Sequence, residues 1–289
     1  MPAMISHYLF SKRVLTKISQ AYPKFSINDN AYLWGAQGPD FLFSHKFLPW
    51  QKNHRSIKRS GAFLQKGSIE DIINMIKNYF KDKTINSLEL SYIISFLSHL
   101  ILDKNAYDFV SFNAKKLSEI IPRSSTKGSR NEQKSALDII LLRYEEQKLP
   151  TEINLKKLIP NDRNLENFIK DFYLNILIEN YDKTITSREI AEALKDFKLF
   201  VSLMIDRTGL KKKFIKKLEA YFKKDNSISG VIRDITENDD YDYANFQKSQ
   251  WAWPIDSNKI RTDSFFDIYE SSITEAVQIV DSSLLNFPL

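Results

Sequence analysis

Cysteine is absent from the 289 residues, which excludes a disulfide framework, thiolate-held zinc, iron–sulfur clusters and a thiol nucleophile. Any metal must be held by His, Asp and Glu. Histidine is scarce as well: His7, His45, His54 and His99 are the whole set. With 7 glycines and neither GxGxxG nor GxxxxGKS/T, dinucleotide and P-loop nucleotide binding lack their signatures. No run approaches the roughly 18 consecutive apolar residues of a membrane span. The opening MPAMISHYLFSKRVL has no charged stretch followed by a sustained apolar one, which predicts no secretory signal peptide. The expected location is the cytoplasm, with a peripheral position at the membrane as an option.

What is present is an ordinary globular composition, 43% hydrophobic and 27% charged, with 42 Lys+Arg against 36 Asp+Glu and a net charge of +6. Helical periodicity dominates. In IEDIINMIKNYF, Ile69, Ile72, Ile73, Ile76 and Phe80 recur at i, i+3, i+4, i+7 and i+11 and predict a helix over 69–80. The stretch 87–103 is apolar on more than one face and predicts a buried central helix. Further helices are expected at about 10–20, 111–120, 131–147, 164–180, 187–206, 209–224 and 264–284. Strand signals are weak. Breaks fall at GAQGPD (35–40), PRSSTKGSR (122–130) and ENDDYDYANFQKSQWAWP (237–254), none of them a flexible linker. The chain reads as all-α, one compact multi-helix domain over 1–289.

Two pairs of residues carry the chemistry. His99 and Asp103, in FLSHLILD, stand four apart, so imidazole and carboxylate share a helix face and can converge on one metal ion. The same spacing also serves a simple His–Asp hydrogen bond in the core. His7, in ISHYLF just before the first helix, and Asp40, closing GAQGPD, form the second pair. A carboxylate after a rigid Gly-Pro turn is well placed as a ligand, and Asp is equally a common turn or cap residue.

Taken together, SHYLF, LWGAQGPDFLF, FLSHLILD and the closing NFQKSQWAWP and SFFDIYESSITEA resemble the zinc-dependent phospholipase C family, which includes the catalytic domain of GPI-specific phospholipase D. The resemblance runs through nearly the whole chain in the same order. It implies a fold of the phospholipase C/P1 nuclease type and a trinuclear zinc site that hydrolyses a phosphodiester. It also implies that His7, Asp40, His99 and Asp103 are zinc ligands, with Asp103 bridging two ions and Asp40 beside the attacking water as the catalytic residue.

The departures from the family pattern are specific. After Gly61, Gln65 stands where the family has a histidine. In FLxHxxLDxxxHP the last histidine becomes Tyr107 and the proline Asp108. HxxxExxxD reads Arg130, Lys134 and Asp138. The third metal site is therefore expected to be lost, leaving one or two zinc ions. The His/Asp donor set would also accept manganese or iron. Arg130 and Lys134, four apart, are candidate phosphate-binding residues where the third ion would be. Alternatively they turn outward or pair with Glu132, Asp138 or Asp40. His45 and His54 are candidates to replace the ligand missing at Gln65, or exposed histidines that titrate near neutrality.

TGLKKKFIKKLEAYFKK (208–224) is a basic amphipathic helix, fit to lie on an anionic membrane or, more commonly, to pack its apolar face on the core. The expected partner is a phospholipid or other phosphodiester. The nuclease relatives of this metal architecture extend that substrate class to nucleotide phosphodiesters, while nucleic-acid binding as such is not expected. The function expected is a phospholipase C-like hydrolase with a reduced site. The alternative is an inactive member of the family acting as a phospholipid- or protein-binding module.

Overall fold

The structure, a computed structural model, describes residues 3–48, 51, 55–120, 125–222, 228–237, 240–252 and 260–283. His54, Lys223 and Lys224, discussed above, lie outside the described residues. Helices dominate: α1 (Met4–Ala21), α2 (Asp29–Gly35), α3 (Asp40–Phe43), α4 (Arg55–Lys66), α5 (Ile69–Phe80), α6 (Ser87–Ile120), α7 (Thr126–Glu146), α8 (Arg163–Asn180), α9 (Ser187–Met204), α10 (Leu210–Tyr221) and α11 (Phe265–Ser283). Two short 3-10 turns (Leu155–Leu158 and Ser229–Val231) and one two-stranded antiparallel ribbon, β1 (Trp251–Ala252) with β2 (Ile260–Arg261), complete the described chain. The all-α reading stands.

Local sequence explains the boundaries. The Ser68 Oγ accepts the Asp71 amide and starts α5, and Asp162 does the same for α8 through the Leu165 amide, each satisfying a donor the first turn leaves open. Ser125 caps α7 through Gly128, so that helix begins inside the stretch expected to be a break. It ends at Gln147, which adopts φ 54°. Between residues 87 and 120 neither Gly nor Pro occurs, and the two helices expected at 87–103 and 111–120 are one helix of 34 residues. The first helix also starts earlier than its pattern indicated: His7 lies inside α1 rather than before it. A residue in the first turns of a helix has far less freedom than one in the chain leading to it.

Contacts divide the chain into two compact units. One comprises Met1–Leu9, Leu102–Asn154 and Met204–Ser272; the other comprises Phe10–Ile101, Leu155–Leu203 and Ile273–Leu289. In the second unit α5 packs on α8 around an aromatic core. Tyr92 and Phe96 of α6 meet Phe168, Phe172 and Tyr173 of α8 edge-on, with ring centroids 5.5–6.1 Å apart. Edge-to-face pairs of this kind add about 0.5–1.5 kcal/mol each beyond area burial. In the first unit Phe109 meets Trp251 edge-on at 5.6 Å and Phe265 at 6.2 Å. The Gln133 amide donates to the Tyr243 carbonyl at 2.7 Å, tying α7 to the irregular stretch before the ribbon.

Candidate metal centre

The GAQGPD turn has a physical reason for each glycine. A Cβ on Gly35 would stand 2.4 Å from the Tyr92 carbonyl oxygen of α6. A Cβ on Gly38 would stand 2.5 Å from Cγ and Cδ2 of the His99 ring, and Gly38 has φ +51°. Both distances are far inside van der Waals contact, so the turn lies flat against α6 only because those atoms are missing. Lying there, it brings the Ala36 carbonyl 2.9 Å from His99 Nδ1. Nδ1–H donates to that carbonyl, so the other ring nitrogen, Nε2, keeps its lone pair. His99 Nε2 faces Asp40, with Oδ1 at 3.9 Å.

Asp40 itself is held by Gln65, whose side-chain amide donates to Asp40 Oδ1 at 2.7 Å. Gln65 reaches it because α4 crosses α3 closely at Gly61, where a Cβ would meet the Phe43 ring at 3.0 Å. Gln65 thus supplies a neutral amide that orients the carboxylate. Asp40 is 26% exposed, whereas His99 is fully buried.

One turn along the same helix from His99, Asp103 is buried, with His7 Nε2 3.1 Å from its Oδ1. His7 beside Asp103, and His99 one turn before Asp103 on the same helix, each offer one ligand atom to a candidate metal ion. Asp40 is not a member of that group. Two nitrogen donors and one carboxylate are a donor set that zinc and other first-row divalent ions accept.

His7 is placed from far along the chain. Asp138 of α7, fully buried, accepts the backbone amides of Ile5 and Ser6 at 3.0 and 2.8 Å and the Ser6 hydroxyl at 2.7 Å. Oδ2, which takes the Ile5 amide, also accepts from Arg233 Nε at 2.8 Å and from Arg233 Nη2. These amides are first-turn donors of α1, so Asp138 acts as a cap delivered from another helix. With both oxygens occupied it positions His7 and ligates nothing. Arg233 carries no sequence signal of this role. It stands in an irregular stretch with no motif around it.

Arg130 donates to Ser111 Oγ at 3.1 Å and its guanidinium lies 5.5 Å from the centre of the Tyr107 ring. Lys134 is half-buried, and among the described residues it makes no ion pair. Their suggested partners are engaged elsewhere: Asp138 by Arg233, Asp40 by Gln65, and Glu132 by the Tyr243 hydroxyl at 3.3 Å. Neighbouring Asp108 has its carboxyl raised above the ordinary range by burial, partly opposed by Arg261.

His45 is not an exposed histidine. It is fully buried, with Nε2 3.4 Å from Glu192 Oε2 of α9, and burial lowers its pKa below the ordinary 6.5. The Lys46 amide, next in the chain, donates to Asp196 Oδ2 at 2.7 Å, which ties the loop after α3 to α9. The basic helix α10 also departs from the more common arrangement. Its apolar residues Leu210, Phe214, Leu218 and Tyr221 are exposed, and the buried residue of the helix is Glu219.

Comparison with family models, with curated proteins and with solved structures returned no match. No helix among the described residues is long and apolar enough to cross a membrane.

Proposed function

We propose that this chain is a metal-dependent phosphodiesterase of the phospholipase C-like kind, working with a reduced site. His7, His99 and Asp103 would hold the metal, zinc being the first expectation, with Asp40 as the catalytic residue. The observation that carries the reading is the fixing of His99: a turn with two obligatory glycines sets its tautomer and turns Nε2 toward an oriented carboxylate. A histidine serving only as core filler does not require that construction. When bound, a divalent ion supplies Lewis acidity, lowering the pKa of water and neutralising charge on a phosphate.

The rest falls to the chain's own atoms. Gln65 occupies Asp40 Oδ1, which leaves Oδ2 to accept a proton from the attacking water. Partial exposure of Asp40 gives that water and the substrate a way in, while burial of His7, His99 and Asp103 keeps the donor set dry. The donor set supports one ion better than two, because Asp40 is bound to Gln65 and stands outside the His7, His99 and Asp103 group. Arg130, fixed on Tyr107 and Ser111, with Lys134 one turn on, is the proposed phosphate grip.

Elemental analysis of the purified chain tests the reading. About one zinc per chain, lost in Asp103→Asn and His99→Ala, together with zinc-dependent hydrolysis of bis(4-nitrophenyl) phosphate that Asp40→Asn abolishes, is the expected result. Absence of retained metal after zinc loading refutes it. Metal without hydrolysis favours the second reading, a phospholipid-binding module without turnover, which the outward apolar face of α10 independently favours.

A further inference from the structure

Helix α10 is mounted the wrong way round for a core helix. Its polar side faces the body: Glu219, 7% exposed, accepts the amides of Ile228 and Ser229 at 2.8 and 3.3 Å. Lys212 Nζ donates to Asp234 at 2.6 Å, and its amide to Asp206 Oδ2 at 2.8 Å. Lys211 Nζ donates to the Ile205 carbonyl at 2.6 Å. On a helical projection Leu210, Tyr221, Phe214 and Leu218 fall within about 80° of one another, on the side opposite Glu219. Their exposures are 66%, 80%, 62% and 40%, and Phe222 beyond the helix end is 63% exposed. A helix normally turns such a stripe inward. Here hydrogen bonds and an ion pair hold the helix by its other face.

The charge pattern says what the stripe fits. Lys213 and Lys217 are exposed on its flank, and the helix's one acidic residue, Glu219, points away from it. Exposed aromatic and leucine side chains edged by lysines, with no acid among them, are complementary to a surface that is apolar beneath and anionic at its rim. A protein groove has no general reason to offer that combination, whereas a bilayer containing acidic lipids does everywhere on its surface.

We propose that α10 is an interfacial anchor that lays Leu210, Phe214, Leu218, Tyr221 and Phe222 into the headgroup region of an anionic membrane, with Lys213 and Lys217 on the lipid phosphates. The proposal stands independently of the metal reading, since it needs no residue of that site.

The test is co-sedimentation of the full chain with phosphatidylcholine vesicles, with and without phosphatidylglycerol. Binding is expected only to the anionic vesicles. Replacing Lys213 and Lys217 together by Ser should weaken it about 25-fold, at about fivefold per lysine, and molar salt should do the same by screening. Phe214→Ser with Leu218→Ser should weaken it by at least about tenfold. All these side chains are exposed, so circular dichroism should show the fold retained. Tyr221→Trp adds a second readout, a blue-shifted emission on vesicle addition. No binding to anionic vesicles overturns the proposal, as does binding unaffected by either set of substitutions. A self-associated chain that Phe214→Ser/Leu218→Ser converts to monomer also overturns it, in favour of a second copy.

Discussion

Replacing Gly38 by Ala should be among the most damaging single-methyl additions available to this chain. The position has φ +51°, where an L-residue costs about 1–2 kcal/mol. The new Cβ would lie 2.5 Å from two atoms of the His99 ring, and that ring is fully buried and hydrogen-bonded to Ala36. It cannot swing aside without giving up the bond. Overpacking of this kind costs about 1–3 kcal/mol, for a total of roughly 2–5 kcal/mol. At about 2 °C per kcal/mol for a chain of this length, the melting temperature should fall by about 4–10 °C. Gly67→Ala is the internal control: its Cβ would meet Ile72 Cδ1 at 3.4 Å and the Phe63 and Leu64 carbonyl oxygens at 3.5 and 3.6 Å, all ordinary contacts, and the change should be neutral or stabilising by a few tenths of a kcal/mol. Urea unfolding of the three proteins, with zinc content measured alongside, decides the matter. If Gly38→Ala matches either wild type or Gly67→Ala in both stability and metal retention, the account of the turn as the support of His99 is wrong.

Three further outcomes are expected. Burial holds the His45 pKa below its ordinary value, partly offset by Glu192. Between the two values the unfolded chain binds more protons, so stability should fall as pH drops below about 6.5, and His45→Gln should flatten that urea-midpoint profile. Asp138→Asn and Arg233→Met should each cost about 3–5 kcal/mol by stranding a buried charge or its donors, while the double variant costs less than the sum. Gln65→His should add a donor beside Asp40 and His99 and strengthen zinc retention on the order of tenfold, read by competition with a chelator.

Much of the helical frame was legible because it rests on local signals. The Ile69–Phe80 stripe specified α5 residue for residue. Helix α4 was missed because its RSIKRSGAFLQK is charged and carries a glycine at its centre. That glycine is explained only by the crossing with α3, a tertiary fact. The 104–110 stretch looked like a gap between helices since its periodicity blurs, yet nothing in it stops a helix, so α6 runs on. Asp40 could be singled out from its turn, and His99 and Asp103 from their spacing. Gln65 and Arg233 acquire their roles from contacts at 25 and 95 residues' separation, which no local pattern encodes. The amphipathic period of α10 was equally clear, but a period does not say which face is held. That was decided by Glu219 capping Ile228 and Ser229.

The first turn of α1 is fastened by Asp138, and Asp138 by Arg233. His7 therefore precedes in the chain the two residues that fasten its helix, and is set in place only after them. During synthesis or refolding, its imidazole has no defined position until two segments more than a hundred residues downstream have closed on it, and such closures are the slow steps of folding. If the proposed metal is held through His7, its uptake must wait for that closure, and the rate of uptake after dilution from denaturant would clock it.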